Sequence, residues 1–169
     1  DQDTADASKV VPWITQGGLG LPDRDYYFRD DDDTKKIRAA YVVHVEKMFL
    51  LLGRSPKDAK QAAADVMAIE AALAKVSKTN VETRDIQGIN NRLSRAAVAG
   101  LAPKFPWDAH FATLGHPEFS DFIVEAPKFI EGTGALFQSA KPAAWRNYLD
   151  WRIVDDAAPT LPQAFVEED

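Results

Sequence analysis

Apolar residues recur at steps of three and four along two long segments of the chain, which Gly53 and Ser55-Pro56 separate. This spacing places the apolar side chains on one face of a helix. It predicts one helix over residues 34–52 and a second that starts at Ser55, with the serine as its cap and the proline in its first turn. The stripes are Ile37, Tyr41, Val45, Met48 and Leu52 in the first helix, and Ala62, Val66, Ile69, Leu73 and Val76 in the second. Because the link is short, we expect an αα-hairpin of antiparallel neighbours.

The rest of the chain carries shorter patterns that glycine and proline interrupt. A final helix from Pro142 has apolar residues on overlapping faces, including Leu149 and Ile153, so we expect it to be well buried. The other predicted elements are strands at 10–15 and 121–125, a long connection at 78–91, and helices at 94–99, 105–115 and 128–140. The predicted fold class is mainly α: a helical domain with an αα-hairpin, several short helices and one or two short strands.

Size and charge limit the classes of protein to which the chain can belong. With 169 residues, of which 46% are hydrophobic, residues 1–169 fit a single domain or a fragment of a larger one. The net charge of −6 argues against nucleic acid or an anionic membrane as a partner, since both attract basic surfaces. The chain has no cysteine, which removes disulfides, thiolate zinc sites and cysteine nucleophiles. The composition leaves the cellular compartment open.

Two groups of residues invite a metal hypothesis, and for both we favour another interpretation. His44, His110 and His116 lack the His-Glu-x-x-His order of a zinc helix, so we expect ordinary surface or core histidines. The aspartates at 30–33 lack the alternating ligands and the central glycine of a calcium loop. We interpret them as the start of a helix, where negative charge meets the positive end of the dipole, with Asp33 or Thr34 as the cap.

Neither the glycine-rich segment nor the serines form a known catalytic motif. Residues 17–20 (GGLG) are followed by Pro22 rather than by a lysine-serine pair and a helix, so they indicate a turn and not a phosphate loop. No Gly-x-Ser-x-Gly frame surrounds a serine. In residues 24–27 (RDYY), an arginine and an acid beside two tyrosines are expected to order a loop by buried hydrogen bonds. We therefore assign no catalytic, cofactor-binding or metal-ligating residue to this chain.

The segment Gly18–Tyr27 (GLGLPDRDYY) resembles the GLGLPxRDYY signature of the neprilysin and endothelin-converting-enzyme family of zinc metallopeptidases. Residues 69–74 (IEAALA) are similar to the family's E..LA helix, and residues 148–152 (YLDWR) to its YLRWR stretch. Arg84-Asp85 is also similar, although Ile89-Asn90 stands where the family tends to have Tyr-Asn. The resemblance thus extends over almost the whole chain.

The resemblance implies a larger enzyme of two mainly helical lobes around a central cavity, with zinc in the parent enzyme. In that family the catalytic lobe carries His-Glu-x-x-His, Glu-x-x-x-Asp and Asn-Ala-x-Tyr, and this sequence contains none of the three motifs. The chain is therefore expected to be a piece of the lobe that limits substrate access in a zinc metalloendopeptidase acting on oligopeptides, and to be inactive alone. Its partners would be the catalytic lobe of the same polypeptide and, in the parent, peptide substrates.

A second hypothesis is an autonomous helical interaction module that binds a partner through exposed apolar surface. A His-Glu-x-x-His motif downstream in the same gene would decide for the peptidase. The sequence itself carries no address signal. The lack of cysteine and the resemblance to bacterial members of the family lead us to expect a periplasmic or exported location.

Overall fold

The computed structural model describes residues 1–168, and within them helices dominate. The helices are α1 (Asp32–Leu51), α2 (Pro56–Val76), α3 (Arg95–Leu101), α4 (Trp107–Thr113), α5 (Pro127–Ser139), α6 (Pro142–Ala157) and α7 (Gln163–Glu168). The strands are β1 (Trp13–Ile14), β2 (Asn91–Ser94) and β3 (Asp121–Val124), and short 3-10 helices cover Arg24–Tyr27, Glu82–Arg84 and Ala158–Thr160. The mainly α fold class is confirmed, with three short strands rather than one or two.

The chain separates into two compact units, each built from two stretches of sequence. Unit 1 consists of residues 1–17 and 76–139, and unit 2 of residues 18–75 and 140–169. The three strands lie in unit 1, and the two longest helices lie almost entirely in unit 2.

Unit 2 is organised around α1, α2 and α6. Val45 and Met48 of α1 belong to the same buried cluster as Ala62 and Val66 of α2, which agrees with the predicted hairpin. Trp151 of α6 lies in this cluster and is fully buried. Burial of such large apolar side chains stabilises the unit by about 1.5–3 kcal/mol for each of them.

Unit 1 contains a small mixed sheet in the order β1-β3-β2, in which β3 pairs parallel to β1 and antiparallel to β2. Phe122 and Val124 of β3 are fully buried and join a cluster with Val98 of α3, Phe111 of α4 and Ile130 of α5. The helices α3, α4 and α5 thus cover the sheet with apolar and aromatic side chains.

The structure corrects several sequence expectations about the long helices. Leu149 and Ile153 of α6 are 54% and 68% exposed, so the prediction that α6 is buried over most of its surface is wrong. The helix is buried only along the side of Tyr148, Trp151 and Val154. Ile37, at the N-terminal end of α1, is exposed too.

Besides the short 3-10 helices, one strand and one α-helix within the described residues were not predicted. Strand β2 begins at the last residue of the segment that we expected to be a long connection, and its residues NRLS give too short an alternation to be distinctive. Helix α7 follows Pro162, beyond the helix from Pro142 that we predicted to be the last. Pro162 lies just before the first turn of this helix, where the missing amide proton costs nothing.

Candidate functional site

The signature segment Gly18–Tyr27 forms a loop that closes with the 3-10 helix Arg24–Tyr27. The Asp23 carboxylate caps this helix by accepting a hydrogen bond from the Asp25 amide at 2.8 Å. Gly18 has a φ of +84°, in the left-handed region that favours glycine. The Tyr148 hydroxyl of α6 donates to the Gly18 carbonyl at 2.8 Å, so the loop is fixed at both ends by side-chain hydrogen bonds.

The carboxylate of Glu70, on α2, is the centre of this arrangement and is fully buried. Its Oε2 accepts a hydrogen bond from the Tyr27 hydroxyl at 2.8 Å. Its Oε1 accepts one from the Tyr41 hydroxyl of α1 at 2.9 Å. Hydrogen bonds to a charged group are among the stronger ones in proteins, so this carboxylate joins the signature loop to both hairpin helices.

Each of the two tyrosine hydroxyls that donate to Glu70 also accepts a hydrogen bond. The Leu21 amide donates to the Tyr27 hydroxyl at 3.1 Å, and the Trp151 indole donates to the Tyr41 hydroxyl at 2.9 Å. The network therefore has a fixed direction, from backbone and indole N–H through the tyrosines to the carboxylate. Cooperative networks of this kind give a buried loop a single conformation.

Burial dominates the electrostatics of the Glu70 site. Loss of solvation raises the pKa of Glu70, although the hydrogen bonds from Tyr27 and Tyr41 oppose the rise. Burial, together with the nearby Glu70 charge, also raises the pKa of Tyr27 and Tyr41 well above the ordinary value. For Tyr148 the same two causes raise the pKa to about 12. The tyrosines therefore stay protonated and serve as permanent donors.

Glu70 has no surface from which it could meet a ligand, because its side chain is fully out of solvent. Its chemistry is limited to holding the loop, and we describe it as a structural anchor. Gly20 explains part of the glycine pattern of the signature, since a Cβ atom at this position would overlap the Tyr41 hydroxyl. The expectation that residues 24–27 order a loop by buried hydrogen bonds is confirmed for Tyr27.

Sequence reasoning missed the role of Glu70, which entered only as part of a helix that resembles the family. A signal was nevertheless present in the pattern. Glu70 lies beside Ile69 and one turn from Val66 and Leu73, on the apolar stripe of α2. An acidic residue on a buried stripe needs hydrogen-bond donors, and Tyr41 on the preceding stripe was available to donate.

The three histidines lie in separate surroundings. The His44 ring lies 3.4 Å from a Glu168 carboxylate oxygen, and the His116 ring lies 3.0 Å from a carboxylate oxygen of Glu118. His110 packs against Phe105 with ring centroids 5.6 Å apart. Within residues 1–168, no three His, Cys, Asp or Glu side chains are grouped so that they could hold a metal ion.

The aspartate run begins α1, as expected, but the cap is Asp31 rather than Asp33 or Thr34. Asp31 has an extended backbone, and its carboxylate accepts hydrogen bonds at 2.9 Å from both the amide and the hydroxyl of Thr34. These hydrogen bonds hold the pKa of Asp31 at about 2. The prediction was two to three residues late because several adjacent residues could all cap a helix.

The family model that describes the N-terminal region of peptidase family M13 matches residues 1–169. The chain belongs to this peptidase family.

The curated relatives include enzymes of the endothelin-converting type. Human endothelin-converting enzyme-like 1 is 28% identical over 170 residues, which cover 98% of this chain and 22% of the relative. Endothelin-converting enzyme 1 from Cavia porcellus is 26% identical over 99% of this chain and 23% of the relative. The chain therefore spans less than a quarter of the length of these relatives.

Among solved structures, the zinc metalloprotease Zmp1 of Mycobacterium tuberculosis in complex with an inhibitor is similar, with a TM-score of 0.85 and 30% identity. The match covers 92% of this chain and 24% of that one. A partial open state of the same metalloprotease matches with a TM-score of 0.81 over all of this chain and 26% of the other. The resemblance to zinc metallopeptidases that the signature predicted is confirmed.

No helix within residues 1–168 is both long and apolar enough to cross a membrane.

Proposed function

We propose that this chain is part of the lobe that limits substrate access in a zinc metalloendopeptidase that cleaves oligopeptides. The family match over residues 1–169 is the observation that carries the proposal. In this proposal zinc and the catalytic motifs belong to the rest of the polypeptide, which is also the main partner of the chain. The periplasmic or exported location belongs to the same proposal.

Two further observations support a role in access rather than in chemistry. The similar M. tuberculosis metalloprotease is known in an open state and in a partial open state, and each of these structures matches nearly all of this chain. In addition, the signature loop is held by a buried carboxylate with no exposed face. A rigid scaffold of this kind suits a wall that sterically selects substrates.

The proposal is tested in the full-length parent enzyme by attaching bulky groups to this segment. The segment has no cysteine, so once any cysteine elsewhere in the parent has been replaced, single cysteines are introduced at exposed positions such as Leu149, Ile153 and Leu114. Each variant is labelled with a maleimide polymer, and kcat/KM is measured for a short peptide and for a long one. The matched control is the same variant labelled with N-ethylmaleimide.

We expect the polymer at one or more of these positions to lower kcat/KM for the long peptide. The value of kcat/KM for the short peptide should stay unchanged. The small label should leave both values unchanged. If the polymer changes the ratio of long to short peptide cleavage at none of the exposed positions of the segment, the access role is refuted.

A further inference from the structure

The side chain of Arg24, in the signature loop, is half-buried but has no hydrogen-bond acceptor within residues 1–168. Its Nε atom is out of solvent and makes no hydrogen bond, and no ion pair within that part of the chain involves its guanidinium. Buried donors in native proteins are nearly always satisfied, and leaving a charged donor without an acceptor is especially unfavourable. The segment by itself therefore does not meet the hydrogen-bonding requirement of this arginine.

The acceptors closest to Arg24 in the sequence serve other donors. The Asp23 carboxylate accepts a hydrogen bond from the Asp25 amide at 2.8 Å, which caps the 3-10 helix. The Tyr26 carbonyl, in the same helix, accepts a hydrogen bond from Nη1 of Arg38 at 2.8 Å. The loop thus satisfies its own backbone and a second arginine, and an acceptor for Arg24 has to lie outside the loop.

Phe28, which follows the 3-10 helix, determines the chemistry of the missing contact together with Arg24. The guanidinium carbon lies 5.8 Å from the centroid of the Phe28 ring, and Phe28 is 48% exposed. A guanidinium over an aromatic ring keeps the orientation of its planar fork, and this fork matches a carboxylate through two parallel hydrogen bonds. Arginine and aromatic residues are also enriched at protein interfaces. The exposed pair therefore fits an acidic side chain that arrives on the surface of the loop.

The remainder of the parent polypeptide is the source of such a side chain. The chain covers only 22% of human endothelin-converting enzyme-like 1, so most of a protein of this length lies outside the segment. Covalent connection also gives a group in the same polypeptide a high effective concentration. We propose that Arg24, flanked by Phe28, forms a bidentate ion pair with an aspartate or glutamate in the remainder of the polypeptide and so joins the signature loop to it. This inference rests on the part of the proposed function that makes the chain a segment of a larger peptidase.

The first test identifies the acidic residue by cross-linking in the full-length parent. Arg24→Lys places a primary amine at this position, and a carbodiimide joins an amine to a carboxylate in contact with it through an amide bond. Mass spectrometry of the tryptic peptides then shows which acid is joined to position 24. The matched control is Arg29→Lys, because Arg29 is exposed and its Nε lies 3.0 Å from a carboxylate oxygen of Asp31 in the same segment. We expect position 24 to be joined to an acid outside residues 1–169, and position 29 to Asp31.

The second test reverses the charges. Arg24→Glu should lower the melting temperature of the parent, and replacing the cross-linked acid by arginine in the same chain should restore most of the loss. Arg24→Gln provides the same comparison if the reversed charge prevents folding. The proposal is overturned if position 24 forms no cross-link, if it is joined only to acids within residues 1–169 of the same or a second copy, or if the double variant restores nothing. The polymer scan for the access role measures kcat/KM and not stability, so each proposal can fail without the other.

Discussion

Replacing Glu70 is the most direct test of how the signature loop is held. Glu70→Leu leaves the Tyr27 and Tyr41 hydroxyls without their acceptor in a buried site. Each unsatisfied donor costs about 1–3 kcal/mol, so we expect a loss of about 2–6 kcal/mol. This is a large share of a total stability of about 5–15 kcal/mol.

Glu70→Gln refines the test because glutamine keeps one acceptor oxygen. Its amide would face a tyrosine hydroxyl that already accepts a hydrogen bond, from Leu21 or from Trp151. One hydroxyl proton then has no acceptor, and we expect a loss of about 1–3 kcal/mol. The control is Glu131→Gln, at an exposed position of α5, which should change stability by no more than about 0.5 kcal/mol.

The dependence on pH gives an independent check. Burial raises the pKa of Glu70 above its ordinary value of 4.5. Between pH 4.5 and this raised value, the folded chain therefore keeps a proton that the unfolded chain has lost. The stability linked to this proton is fully present below pH 4.5 and is lost as the pH rises through the folded value. Urea melts across this range should therefore show the stability of the unmodified chain falling relative to Glu70→Gln. Equal stability of the unmodified chain, Glu70→Leu and Glu70→Gln would refute the anchor, whereas a difference that grows with pH would refute the direction of the pKa shift.

Three further changes test the remaining structure. Gly20→Ala would push a methyl group into the Tyr41 hydroxyl and should destabilise the chain by about 1–3 kcal/mol. Gly17→Ala has open space around the new methyl group and should be nearly neutral. Thermal melts of both variants measure the difference. Ile69→Ala, at a site only 2% exposed, should lower the free energy of unfolding by about 2–5 kcal/mol. Lys57→Ala, at an exposed site, should lower it by only about 0.5 kcal/mol. Equal urea midpoints for Ile69→Ala and the unmodified chain would contradict the stripe assigned to α2. The isolated chain should bind no stoichiometric zinc and cleave no quenched peptide, and one tightly held zinc with chelator-sensitive cleavage would show otherwise.

The sequence predicted the long helices well because their apolar stripes and caps act locally. Helix α2 begins at Pro56, next to the serine that we expected to cap it. The Ser55 hydroxyl accepts a hydrogen bond from the Asp58 amide at 3.2 Å. Ser94 likewise caps α3, as its spacing predicted. Such features depend on residues within one turn of each other, which a single sequence displays directly.

The parts that were missed depend on partners distant in the sequence. The role of Glu70 depends on hydroxyls 43 and 29 residues earlier in the chain; the local pattern shows that Glu70 needs donors but not which side chains supply them. The same holds for β2, whose register is set by β3 about 30 residues later. The exposed side of α6 was misjudged because periodicity shows which residues are apolar and not how many neighbours surround them.

The division of unit 2 into two stretches of sequence has a consequence for biosynthesis. Trp151 donates to Tyr41, which precedes it by 110 residues, and α6 leaves the ribosome on the order of several seconds after α2 at ordinary rates of translation. Until then the hairpin lacks Trp151, and the apolar face with Met48 and Phe49 stays uncovered. Such late, long-range contacts slow folding and prolong the exposure of apolar surface while the chain is being made.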